Sequence, residues 1–167
     1  MLQTDVMTEL AQVARTGMVF FEEAELLSGD PTVRALYRRM AEHKRRVTAA
    51  LVARLPGGTK ALPFQGTLVC ALRPVYADML AKIGRTRGFA HARLLAELEA
   101  RLLHHFDHAT AHLEQYESRH WLRSFLPTAQ ALLAELTALG KVTDAAPASS
   151  TGTISGSDRV GFGRQVA

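Results

Sequence analysis

Apolar residues recur along this chain at helical spacing. From Thr4 to Ser28, the residues Val6, Leu10, Val13, Gly17, Phe20, Ala24 and Leu27 return at alternating steps of four and three. That is the period of one face of a long helix. Gly17 falls inside the stripe, where a missing side chain favours close helix approach at some loss of propensity. Ser28-Gly29-Asp30-Pro31 then reads as a stop and a new start, with Asp30 as N-cap and Pro31 at the first helical position. A second helix is expected from Pro31 to about Leu55, with Val33, Leu36, Met40, Val47 and Leu51 inward and Tyr37 beside them. His43 and Lys44 stand where an apolar residue would continue that stripe, and His43 reads as a histidine at the core's edge. The turn is short, so the two helices should be antiparallel neighbours.

Pro56-Gly57-Gly58 ends the second helix, and residues 57–66 read as a loop. A short helix is expected within 67–83, its apolar face being Leu68, Leu72, Tyr76, Leu80 and Ile83. Pro74 limits its regularity or sits near its start. The third long helix is expected at about Phe89 to Tyr116, with Leu95, Leu98, Leu102, His105, Ala109, His112 and Tyr116 as its stripe. The fourth is expected at about Ser118 to Leu139, with Leu122, Phe125, Leu126, Ala129, Leu133 and Leu136 inward. Pro127 either kinks it or marks its true start after an irregular turn around Trp121, and Gly140 is a stop. About 33 residues separate the second and third long helices, enough to cross the whole bundle. From Thr143 the chain turns to Ala, Pro, Ser, Thr and Gly without a period, which reads as disorder. The expected division is a helical bundle over 1–141 and a disordered tail over 142–167.

Composition narrows the picture. With 167 residues, 47% of them hydrophobic, the chain suits one domain. Its single cysteine, Cys70, excludes a disulfide framework and a cysteine-built zinc site; its simplest role is a small buried hydrophobe. There is no run of 18 apolar residues, and Asp5 and Glu9 stand where a secretory signal would be basic and then apolar. A cytoplasmic protein without membrane contact is expected. The net charge of +4 is small but uneven. Residues 1–30 hold six acids and one base, whereas residues 31–60 hold one acid and eight bases. Pairing of the first helix with the second is the favoured reading. The alternative is an anion or nucleic-acid track along Arg34, Arg38 and Arg45 and the basic turn at Arg85 and Arg87. No base-reading motif or aromatic platform accompanies those arginines, so nucleic acid is not the expected partner.

Two antiparallel helical pairs joined by a long crossover describe an all-α, ferritin-like four-helix bundle whose crossover carries a short extra helix. Particular stretches carry a resemblance as well. Gly17-Met18-Val19-Phe20-Phe21-Glu22-Glu23-Ala24, the run from Asp30 to Tyr37, Leu94-Leu95-Ala96-Glu97-Leu98-Glu99 and His108-Ala109 resemble a family of small bacterial ferritin-like four-helix proteins of unknown function. The resemblance spans roughly residues 5–140. It implies the fold and a distant relation to rubrerythrin and ferritin, and no particular activity.

A di-iron bundle takes one glutamate from each of two helices and Glu-x-x-His from each of the other two. This chain departs from that pattern. Glu22 lies opposite its helix's core stripe and Glu23 on the flank. Glu42 is followed at the required spacing by Arg45, and Glu135 by Ala138. Glu97 and Glu99 are expected about a right angle from their stripe. The one Glu-x-x-His, Glu117 to His120, falls at a turn. A second source of ligands is the histidine cluster. His104, His108 and His112 follow one another at steps of four, and such pairs chelate transition metals. With Glu23 or Glu42 they are the candidate ligands for iron, manganese or zinc. The favoured reading is that these are ordinary polar residues and that no cofactor is held. Acidification is expected to loosen packing around His105 and His112. Gly57-Gly58 lacks the Gly-Lys-Ser/Thr ending of a phosphate loop, and Cys70 has no histidine near it in sequence. The function expected is non-enzymatic: an interaction or stress-associated bundle with an undefined protein partner, able to form homo-oligomers. A metal-binding bundle is the alternative.

Overall fold

The first apolar stripe becomes α1, Gln3–Leu27, and the second becomes α2, Pro31–Val52. The computed structural model describes residues 3–58, 66–85 and 91–145. Asp30 caps α2 as its sequence predicts: the carboxylate accepts from the backbone N–H of Thr32 at 2.7 Å and of Val33 at 3.0 Å. The Arg34 guanidinium donates to the Ser28 carbonyl at 2.9 Å and holds the turn. Glu25 pairs with Arg38 at 2.7 Å, and Glu22 with Arg45. Partners run upward on one helix as they run downward on the other, so α1 and α2 are antiparallel. The uneven charge therefore goes into helix pairing. Exposed pairs of this kind contribute little stability and mainly set register. Burial does the holding: all five expected inward positions of α2 are buried, and so is Tyr37 beside them.

Helix α1 buries Leu10, Val13, Gly17, Phe20 and Ala24 of its expected stripe, while Val6 is partly buried and Leu27 is exposed near the helix end. Met7, Ala11 and Ala14 are inside as well, clustered with Val47, Leu51, Leu113 and Leu122, and Phe21 is inside in the cluster to which a second helix, α3 (Thr67–Ile83), contributes. Gln12 lies against Gly66, Phe20 stacks on Tyr76 at 4.2 Å, and Leu27 lies beside Gly84. Numbers rise together on both helices, so α3 runs parallel to α1. It is continuous through Pro74.

Helix α4 is Ala92–Ala111, α5 is Tyr116–Arg123 and α6 is Leu126–Ala145. The break at Ser124 and Phe125 decides between the two readings of Pro127. It is the second residue of α6, where a missing N–H leaves no bond unmade. Gly140 does not stop the last helix, which continues to Ala145. It serves close approach: a Cβ there would lie 3.0 Å from the backbone N and Cα of Arg93 on α4. Arg39 pairs with Glu135 across α2 and α6, and His105 with Glu9 across α4 and α1. Thus α1, α3 and α6 run one way and α2 and α4 the other, with α3 lying against α1 on the route from α2 to α4. Arg87, Gly88, Phe89 and the tail beyond 145 lie outside the described residues. Among the described residues, no helix is long and apolar enough to cross a membrane.

The core divides in two. One cluster gathers Phe20, Phe21, Leu36, Tyr37, Leu72, Tyr76, Leu95 and Leu136. The other gathers Met7, Leu10, Leu51, Leu55, Leu113 and Leu122 at the opposite end. Thr110 on α4 is completely buried, and its hydroxyl has no hydrogen-bond partner. An orphaned buried hydroxyl destabilises. Thr110→Val should therefore raise the unfolding free energy by about 1 kcal/mol, read as a higher urea midpoint at unchanged slope. A lower midpoint would mean that the hydroxyl is satisfied in solution.

Candidate functional site

Polar side chains from three helices meet beside the first core cluster, to which one of them, Tyr76, belongs. Lys44 continues the inward stripe of α2, and its ammonium lies 2.8 Å from Glu99 of α4. The other Glu99 oxygen accepts from the Tyr76 hydroxyl of α3 at 2.9 Å. The Lys44 and Glu99 side chains are only 15% and 8% exposed. Room for the lysine stem comes from Gly17 of α1, where a Cβ would lie 2.7 Å from Lys44 Cδ. The ammonium also stands 5.6 Å from the centre of the Phe21 ring. Burial and the Glu99 charge push the Tyr76 hydroxyl well above its ordinary range, so it keeps its proton and donates. Both carboxylate oxygens are thus engaged, and the paired charges cancel.

Glu99 is the residue that sequence reasoning misplaces. The expected stripe of α4 ran through Leu98, His105 and His112. The structure buries Ala92, Leu95, Ala96, Glu99, Leu102 and Thr110 instead, a stripe displaced by about one residue. His112 is consequently exposed at the end of the helix, and His105 sits at the rim with 41% of its side chain exposed, 2.9 Å from Glu9. The signal that could have found Glu99 is its spacing of four from Leu95 and three from Leu102, both buried.

Above the ion pair lies a partly enclosed cavity of about 80 Å³. Leu10 and Val13 of α1, Met40 and Val47 of α2, Leu102 and Phe106 of α4, and Ala129 and Leu132 of α6 form its apolar walls. His43, Lys44, Glu99 and His105 supply its polar edge. His43 contacts Phe125 edge-on, with ring centres 6.3 Å apart. Burial first, then the charges of Lys44 and Arg46, push the His43 imidazole down to about 4, against an opposing pull from Glu99. The ring is therefore neutral at pH 7.

That depression links stability to pH. The folded chain binds the His43 proton only near pH 4, whereas an unfolded histidine binds it near 6.5. Stability is fully present above 6.5 and is lost as pH falls toward 4. His105 with Glu9, Lys44 with Glu99, and the nearby Arg46, which pairs with Glu42, are the other charged groups that face His43. Between pH 7.5 and pH 5 the protein should lose about 1 kcal/mol more than a His43→Leu variant, a value discounted for the ring's remaining solvent contact. Parallel losses in urea titrations of the two proteins would remove His43 from this role. His43, on the cavity wall, is thus a site of acid sensitivity besides the two expected from the sequence.

The other residues singled out in the sequence are dispersed. Glu23 is exposed on α1. Glu42 is bound by Arg45 and Arg46, which hold its carboxyl below the usual range. His104, His108 and His112 make an exposed ladder on α4, with ring centres 6.5 and 4.3 Å apart, and His112 Nδ1 lies 2.7 Å from the His108 carbonyl oxygen. Among the described residues, no three His, Cys, Asp or Glu side chains come together in a way that could hold a metal ion. Arg34, Arg38 and Arg45 are committed to Ser28, Glu25 and Glu22, and Arg85 is exposed at the end of α3. Cys70 is exposed rather than buried. No protein-family model matches the chain, and neither a curated protein nor a solved structure matches it, so the molecule stands as an all-α helical bundle.

Proposed function

We propose that the chain is a non-enzymatic binding protein, built on a ferritin-like bundle, that holds a small apolar molecule between α1, α2, α4 and α6. The observation that carries this reading is the cavity itself: apolar walls from four helices around a self-neutralised ion pair. Small-molecule sites have that character, mostly apolar with a few placed polar groups. The helix order supports the ferritin-like reading, since α2 and α4 run in the same direction and α3 lies on the route between them. The lone thiol fits a reducing compartment, the cytoplasm.

A di-iron centre does not fit the donor set. Among the described residues, Glu99 is the one acidic side chain on the cavity wall, and its oxygens are already held by Tyr76 and Lys44. A neighbouring pair of the exposed histidines, such as His108 and His112, is the remaining candidate for zinc, iron or manganese, since no three described donors converge.

The test is a titration of the purified, untagged protein with toluene, a small neutral apolar molecule, followed by ligand-detected NMR. One saturable site is expected, and Ala129→Phe, which fills the cavity from α6, should remove it while the helical circular dichroism persists. Toluene binding unaffected by Ala129→Phe would overturn the reading. So would near-stoichiometric iron, manganese or zinc in protein purified without added metal or chelator.

A further inference from the structure

The cavity's polar edge says what kind of molecule it accepts. Lys44 and Glu99 neutralise each other at 2.8 Å, and the second Glu99 oxygen is taken by Tyr76. His105 is engaged with Glu9 at the rim. His43 differs from these, because among the described residues no protein group hydrogen-bonds its ring, although it lines the cavity and is largely enclosed. A charged guest would bring an unbalanced charge beside apolar walls, which is strongly unfavourable. A guest with no polar group would leave the imidazole unpaired, which is also unfavourable. One neutral hydroxyl meets both conditions. It can donate to the unprotonated ring nitrogen or accept from the protonated one.

We infer that the cavity binds a small, uncharged, apolar molecule bearing a single hydroxyl group, such as a simple phenol or alcohol, with that hydroxyl on His43. The inference rests on the proposed cavity-binding function and adds the chemical class of the ligand. The volume of about 80 Å³ restricts the enclosed part to a few heavy atoms, so a single ring would reach toward the open side. The edge of the Phe125 ring beside His43 gives such a ring an aromatic neighbour.

The experiment compares phenol, toluene and benzoate as ligands of the full chain, by calorimetry or ligand-detected NMR at pH 7.5. Toluene has nearly the shape of phenol without its hydroxyl, and benzoate carries a full charge. Phenol should bind about three- to tenfold more tightly than toluene, the worth of one neutral hydrogen bond. Benzoate should bind at least about tenfold more weakly than phenol. His43→Leu should bring the phenol-to-toluene ratio to about one while toluene still binds, and the variant's melting curve shows that it folds. If toluene and phenol bind equally to the wild type, or benzoate binds best, the hydroxyl inference fails and the cavity reading stands. If none of the three binds in a way that Ala129→Phe removes, both fail.

Discussion

Glu99→Ala is expected to lower the unfolding free energy by about 3–5 kcal/mol. The loss comes from what remains behind. The Lys44 ammonium, 15% exposed and set beside Gly17 and Phe21, loses its counter-charge. The Tyr76 hydroxyl loses its acceptor in a buried layer. Such a loss is a large part of the 5–15 kcal/mol that holds a typical domain together. A second variant separates the ion pair's own worth from the harm of breaking it. Lys44→Met, Glu99→Leu and Tyr76→Phe together remove every polar group of the network and leave apolar ones of similar size. Replacing a buried pair in this way is commonly neutral or stabilising. The triple variant should therefore match or exceed the wild-type urea midpoint while Glu99→Ala falls far below it. A Glu99→Ala midpoint within about 1 kcal/mol of the wild type would show that water reaches the site and that the pair is not enclosed.

The first half of the bundle was legible because several local signals agreed there. Asp30 and Pro31 marked the start of α2, the four-three stripe marked α1, and the acid-rich and base-rich segments marked their pairing. The second half offered two answers to the same signals. On α4, stripes through Leu98 and through Glu99 are one residue apart, and both contain Leu95 and Leu102. Counting apolar residues favours the first, because Glu99 is charged. The structure takes the second because Lys44 and Tyr76, on other helices, make a buried carboxylate tolerable. No local pattern contains that information. Gly140 shows the same limit. Glycine ends helices and also lets them touch, and only the position of Arg93 on α4 decides between the two. The cavity was out of reach for this reason too, since its walls come from four helices. Its most informative residue, His43, was visible only as an interruption of an apolar stripe.

Phe21→Ala should cost about 3–5 kcal/mol, as expected for a fully buried aromatic ring. The ring is 0% exposed, meets Phe20 edge-on at 4.9 Å and lies 5.7 Å from Tyr37. It also forms one wall around the Lys44 ammonium. This second role makes a specific expectation about additivity. Phe21 and Glu99 both hold Lys44, so removing Phe21 lets water reach an ammonium that Glu99→Ala has already orphaned. The double variant Phe21→Ala, Glu99→Ala should lose less than the sum of the single losses, by about 0.5–3 kcal/mol. Leu122, fully buried in the other core cluster, shares no partner with Phe21. The losses of Phe21→Ala and Leu122→Ala should add within about 0.5 kcal/mol. Urea titrations of the single variants and both pairs measure the difference, provided that unfolding stays two-state. Equal additivity in both pairs would mean that Phe21 stabilises the bundle only as apolar bulk. A deficit confined to the Glu99 pair would show that the aromatic wall and the ion pair act as one unit.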